Sequence, residues 1–300
     1  MLNVARSLTA PRGAAWWFVA PALLVIGVFF VLPVLAAFAI SLTDFDIYAL
    51  ADLSNLRVVG FRNYFELLQR PLFWKALANT LYFVAAGVPV SLGASLGAAL
   101  LLNSKLARFR SFFRTALFAP VVTTVVAVAV IWRYLLATRD GWLNYALGAF
   151  GIAPIDWLGD PRFAMPAIIL FAVWKNFGYN MIILLAGLQN IPRELYEAAR
   201  IDGASAFERF RFVTLPMLAP ILSIVAILTV AGYFQLFAEP YVMTQGGPLQ
   251  STLSVLYLMY EEGFKYWNLG SASAVAFLLF LLIFAVTLLQ TRAARGEFAR

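Results

Sequence analysis

Polar side chains are rare in this chain, and two apolar runs are interrupted by groups able to hold a ligand. Lys175, Asn176, Tyr179 and Asn180 fall within the run 163–188, and Thr229, Tyr233 and Gln235 within the run 217–238. Amides, hydroxyls and aromatic faces of this kind bind sugars and polyols by stacking and hydrogen bonding. The same groups also join helices to one another inside a bundle. Both roles therefore stand for Lys175, Asn176, Tyr179, Thr229, Tyr233 and Gln235. A charge at bilayer depth costs ~2.5–3.5 kcal/mol or more, so Lys175 is expected to face a cavity or a partner group. Arg133, near the outer end of the run 112–136, and Glu239, just past the run 217–238, read as interfacial.

A second feature is the stretch "IPRELYEAARIDGASAFERFRFVTLP", Ile191 to Pro216, with eight charges between Arg193 and Arg211 in a chain that is 12% charged. Pro192 suits the first turn of a helix, where its missing N–H costs nothing. Leu195, Ala198, Ala199 and Asp202 then share one helical face. Gly203 is a stop, because glycine readily takes the left-handed conformation at a helix end. Ser205 to Glu208 is a capping box that restarts a helix. Leu215 precedes Pro216, so the second short helix is expected to end there and the next run to begin. Ala198, Ala199 and Gly203 leave little bulk on this unit, so another backbone can approach. Glu197 and the nearby arginines offer charge-assisted contacts at its rim.

Enzymatic chemistry has little to work with. There is no histidine and no cysteine, which removes the commonest general base, the commonest metal ligand and all thiolate chemistry. No lysine follows a glycine, so there is no phosphate-cradling P-loop and no bound cofactor or metal is expected. The carboxylates and serines that remain are scattered over loops.

Positioning these groups requires membrane helices. The chain is 63% hydrophobic, with a mean hydropathy of +0.84. That is the composition of a polytopic membrane protein, since about 20 apolar residues span a ~30 Å hydrocarbon core. Six spans are expected, at 16–42, 76–102, 112–136, 163–188, 217–238 and 270–290, giving an all-α membrane domain over 16–290. The first is about twice a secretory h-region and lacks an evident cleavage site, so it reads as retained. The tails 1–15 and 291–300 and the loops 103–111 and 189–216 carry 12 basic residues, against 7 in the other three loops. By the positive-inside rule both termini and the Ile191–Pro216 stretch are cytoplasmic. The net charge of +7 follows from this topology and needs no nucleic-acid partner. Ser91, Gly93, Ser95 and Gly97 form a small-residue face in the second run, suited to packing against a neighbouring helix. The stretch 249–264 is too short and charged to span, and is expected to be an amphipathic helix on the outer side.

The charged stretch resembles the EAA loop of bacterial ABC-importer permeases, the membrane subunits of binding-protein-dependent uptake systems. That pattern is E-A-A, three residues, Gly, nine residues, a branched aliphatic, one residue, Leu-Pro. Here it reads Glu197-Ala198-Ala199, Gly203, Val213 and Leu215-Pro216, with valine for the usual isoleucine. Further stretches extend the resemblance over nearly the whole chain. "VLPVLAAFAISLTDFD" and "VVGFRNYFELLQRPLFWKALANTLYF" match the family's first half, whereas "VWKNFGYNMIILLAGLQNIP", "YVMTQGGP" and "LYLMYEEGFKYWNLGSASAVAFLLF" resemble its carbohydrate-uptake branch.

The resemblance implies a type I importer permease fold, with the 189–216 loop as a helix–glycine–helix coupling unit. Glu197, Ala198, Ala199, Asp202, Gly203, Leu215 and Pro216 would form the seat for an ATPase. Two ATP-binding subunits would carry ATP and Mg²⁺. A second permease subunit, giving a heterodimer, and an extracytoplasmic solute-binding protein would complete the assembly in a bacterial inner membrane. It places Tyr179, Thr229 and Tyr233 in or near a sugar path, for a di- or oligosaccharide, with glycerol 3-phosphate or another polyol derivative as the alternative. A self-sufficient secondary transporter needs a coupling-ion site, usually a midplane carboxylate, and none of the six expected spans contains Asp or Glu.

Overall fold

A backbone crossing hydrocarbon must satisfy its own N–H and C=O groups, so long apolar runs become helices. The computed structural model describes residues 12–104 and 108–298, and its regular secondary structure is helical apart from a single Thr43–Val58 bridge. Most of the 1–15 tail, Lys105 and the last two residues lie outside that range. The elements that matter are α1 (Trp16–Ser41), α2 (Pro71–Asn103), α3 (Arg110–Val122), α4 (Val125–Leu135) and α5 (Pro161–Gln189). They are followed by α6 (Arg193–Ile201), α7 (Ala206–Phe234), α8 (Ala238–Met243), α9 (Val255–Tyr260) and α10 (Leu269–Phe298). Five of these, α1, α2, α5, α7 and α10, are long and apolar enough to cross a membrane, and α3 with α4 makes a sixth if that pair is one span.

Three expected boundaries differ from the structure. The run 112–136 is not one straight span, since α3 and α4 meet at 101° across Thr123 and Thr124. Pro120 withholds an amide donor one turn before the break, and Thr123 Oγ1 donates to the Pro120 carbonyl at 2.6 Å, ending the helix there. The fifth span does not begin at Pro216. The helix runs unbroken from Ala206 to Phe234 through a π turn at Phe210–Thr214, which places Pro216 among the first residues of the α-helical part. Lastly, α10 continues past 290 to Phe298.

Helix α5 is the hub, with α2 packed along it and α3 crossing it at Gly178. A Cβ built on Gly178 would lie 2.3 Å from the Leu117 carbonyl oxygen, so only glycine permits this approach. The apolar core falls into two clusters. One gathers Phe83, Phe171, Val173, Val230 and Phe234, the other Ala99, Met181, Leu184, Leu218 and Val225. Between them, on three helices, lies a polar layer of Ser91, Ser95, Lys175, Asn176, Asn180 and Thr229.

Ser91 and Ser95 of the expected small-residue face are fully buried, and Ser95 Oγ lies 2.9 Å from the Phe177 carbonyl on α5. Gly93 and Gly97 point elsewhere, with nothing within 4 Å of a Cβ added to either. The first helix stands largely apart: its second half meets α10, where the Phe38 and Phe277 rings lie 5.0 Å apart.

The 249–264 stretch does form a helix, α9, continued by a π turn at Glu261–Lys265. It is not a free amphipathic helix, because Val255, Tyr257 and Leu258 are buried and Arg70 Nη1 meets Glu262 Oε1 at 2.9 Å. That ion pair joins the start of α2 to the segment before α10.

Candidate functional site

The polar layer opens into a cavity of about 350 Å³ between α2, α3, α5, α7 and α8. Small-molecule sites occupy roughly 300–1,000 Å³. Asn176, Tyr179, Thr229, Tyr233 and Gln235 line it, with Asn180 and Glu239. Of the residues expected from the sequence to face a ligand path, the structure brings five to one wall and leaves one out.

The exception is Lys175. It is buried, it does not line the cavity, and its Nζ donates to the Val121 carbonyl at 3.1 Å. That carbonyl belongs to the last turn of α3, where unpaired carbonyls and the helix dipole favour a cation. Lys175 thus serves as a clasp between α5 and the bend that ends α3.

Asn180 Nδ2 donates to Thr229 Oγ1 at 2.9 Å, and Thr229 Oγ1 donates onward to the Val225 carbonyl at 2.7 Å. Asn176 Nδ2 donates to the Ala172 carbonyl of its own helix at 3.0 Å. Both amide oxygens are left without a donor among the described residues, on a wall that faces the cavity. Tyr233 is nearly enclosed: its ring stacks on Phe83 with centroids 5.0 Å apart, and its hydroxyl is buried without a partner among the described residues. Tyr179, about half exposed, presents the open aromatic face. The wall therefore offers acceptors for hydroxyls and a ring for an apolar sugar face. Replacing Thr229 with valine removes the acceptor of Asn180 and is expected to cost roughly 1–2 kcal/mol. A lowered melting temperature of the purified protein checks this, and an unchanged one contradicts it.

Glu239 is the residue that sequence reasoning missed. Its position past the fifth apolar run suggested an interfacial role. The chain instead breaks after Gln235, and α8 folds back against α4 and α5, which carries Glu239 into the cavity wall. Arg133 stays outside, its Nη1 turned to the Val242 carbonyl at 3.3 Å. Glu262 and Arg70 are engaged with each other.

The second feature is the hinged pair formed by α6 and the start of α7. α6 ends in a Schellman turn: Ala204 N donates to the Ala199 carbonyl at 2.8 Å, and Gly203 N to the Arg200 carbonyl at 3.0 Å. Gly203 has φ +80°, and nothing among the described residues lies within 4 Å of a Cβ added there. Ser205 and Glu208 complete the capping box, with Ser205 N donating to Glu208 Oε2 at 2.6 Å and Glu208 N to Ser205 Oγ at 3.3 Å. Tyr196 Oη and Thr214 Oγ1, 2.9 Å apart, tie α6 to the π turn, and Ile191 beneath it belongs to the inner apolar cluster.

The unit is thus fixed to the bundle, yet its outer face is bare. Ile201 and Phe207 are 87% and 70% exposed. None of the ion pairs among the described residues involves Arg193, Glu194, Glu197, Arg200 or Asp202. Leu215 and Pro216 lie inside the continuous α7 and extend the unit into the membrane helix.

A helical membrane bundle with a polar central cavity and a rigid hinged pair at one end defines a transport permease in architecture. The model of the binding-protein-dependent transport system inner membrane component family matches residues 90–297, and the chain belongs to that family. It is 38% identical over 285 residues to the lactose transport system permease protein LacF of Rhizobium radiobacter, covering 93% of each chain. It is 37% identical to the trehalose/maltose transport system permease protein MalF of Thermococcus litoralis, covering 92% of this chain and 91% of that one. The arabinooligosaccharides permease AraP of Bacillus subtilis is 34% identical, covering 94% and 88%. In fold, the chain matches a subunit of a bacterial ABC transporter that imports the acidic polysaccharide alginate, with a TM-score of 0.79 and 20% identity, covering 95% and 96%. The all-α type I importer permease fold expected from the sequence is the fold observed. A similar match is to that alginate transporter in complex with an alginate pentasaccharide-bound periplasmic protein (TM-score 0.79, 19% identity, covering 95% and 94%).

Proposed function

We propose that this chain is the permease subunit of an ABC importer that carries a di- or oligosaccharide across the bacterial inner membrane. The observation that carries the reading is similarity, over nine-tenths of the chain, to permeases named for lactose, arabinooligosaccharides and trehalose/maltose. The cavity supports it, with amide oxygens, hydroxyls and an open tyrosine ring on one wall. Energy comes from two separate ATP-binding subunits, which hold ATP and Mg²⁺ and seat on Glu197, Ala198, Ala199, Asp202 and Gly203. The bare charges and the exposed Ile201 and Phe207 give that seat its polar rim and apolar centre. A second permease subunit stands beside this one, against α1 and the Gly93–Gly97 face. The solute-binding protein delivers sugar at the opposite end, so both termini and the α6 unit are cytoplasmic.

Reconstitution of the whole importer in liposomes tests this reading. Accumulation of labelled lactose, maltose or an arabinooligosaccharide is expected only with ATP inside and binding protein outside. Accumulation driven by an ion gradient without ATP would contradict it.

A further inference from the structure

We infer that Glu239 is a specificity-determining residue of the cavity, which accepts hydrogen bonds from neutral sugar hydroxyls and turns away anionic sugars. The inference rests on the proposed transport reading and adds the charge class of the substrate. The charges near the cavity are few, and each has a definite place. Glu239 lines the cavity together with Gln235, Asn176 and Asn180. Lys175 is the cation close enough to attract it, but Lys175 is held behind the wall on the Val121 carbonyl. Arg133 is occupied by the Val242 carbonyl and does not line the cavity. Among the lining residues, then, the one charged side chain is a carboxylate.

A carboxylate acts as acceptor only, with two oxygens able to take bonds from adjacent hydroxyls of one sugar ring. Burial disfavours the charged form of Glu239 and raises its pKa, and Lys175 opposes that shift without offering its ammonium to the ligand. A phosphate or uronate entering here meets like charge at short range, in surroundings less polar than water, and finds no counter-cation among the lining residues. The fold itself does not exclude such ligands, since a chain of the same fold serves an importer of acidic alginate.

The test is ligand binding to the assembled importer in nanodiscs without its binding protein, so that cavity preference is read alone. Saturation-transfer NMR compares lactose, maltose and trehalose with lactose 6-phosphate, on the wild type and on Glu239→Gln. Wild type is expected to favour lactose over its phosphate. Glu239→Gln keeps the shape and removes the charge, and is expected to narrow that ratio by about tenfold or more. Should that variant not assemble, Gln235→Lys at the exposed wall is expected to narrow the ratio by adding a cation. An unchanged ratio in the assembled variants, with lactose still bound, overturns the assignment and leaves the transport reading intact. Absence of binding by every neutral disaccharide overturns both.

Discussion

Gly203→Asn is expected to lower ATP-driven uptake roughly 100-fold while leaving the turn after α6 folded, the scale on which small misplacements cost function. Asparagine tolerates the left-handed region, and nothing among the described residues opposes a side chain at φ +80° there. The Schellman bonds from Gly203 N and Ala204 N survive this change. Any loss of uptake then comes from bulk meeting a partner. Gly203→Val is the companion variant: it adds about 1–2 kcal/mol of backbone strain to the same bulk. Uptake by proteoliposomes and ATP hydrolysis stimulated by the loaded binding protein are the two measurements. Hydrolysis that no longer responds to the binding protein, with assembly preserved, is the expected pattern. Normal uptake by Gly203→Asn would mean that the surface at Gly203 is free of any partner.

Gly178→Leu is expected to have the largest effect on folding. Its first atom would lie 2.3 Å from the Leu117 carbonyl oxygen and 3.1 Å from Phe118 Cα, both backbone atoms that no rotamer change can move. Helix α3 must then leave α5, and the Lys175 clasp on Val121, one turn further along α3, opens with it. Overpacking of this kind typically costs about 1–3 kcal/mol, and a bulky side chain against backbone lies at the upper end. Even Gly178→Ala is expected to lower the melting temperature of the purified protein. An unchanged melting temperature in both variants would contradict the close crossing.

Much of this architecture is legible in the sequence because local rules and global fold agree. Pro192, Gly203 and the Ser205–Glu208 pair mark the hinged helices by capping chemistry alone, and α6 begins one residue after Pro192 and ends two residues before Gly203. Hydropathy finds the long helices, since lipid leaves a backbone few alternatives. It does not see direction. The 101° bend at Thr123 and Thr124 lies inside one apolar run, where neither threonine disturbs the hydropathy. Pro216 misled for the opposite reason. A π turn at Phe210–Thr214 widens the helix just before it, and Leu215 N donates to the Phe210 carbonyl, so the helix absorbs a proline that would ordinarily end it.

The cavity shows the same division. Asn176, Tyr179, Thr229, Tyr233 and Gln235 stand out as polar residues in apolar runs, and they line one wall. Lys175 stands out equally but is spent on a helix end, which depends on where α3 stops. Glu239 carries no signal of its own, because its place depends on the chain turning back after Gln235.

The proposed role of the α6 unit is to receive this subunit's energy from an ATPase. The chain has no cysteine, so a single Ala198→Cys supplies one reporter thiol on the exposed face of α6. Labelling by a maleimide reagent is to be compared for the permease alone and for the permease assembled with its ATP-binding subunits. Strong labelling alone and protection in the assembly is the predicted result. Equal labelling in both would contradict the account, since a seated ATPase must cover that residue.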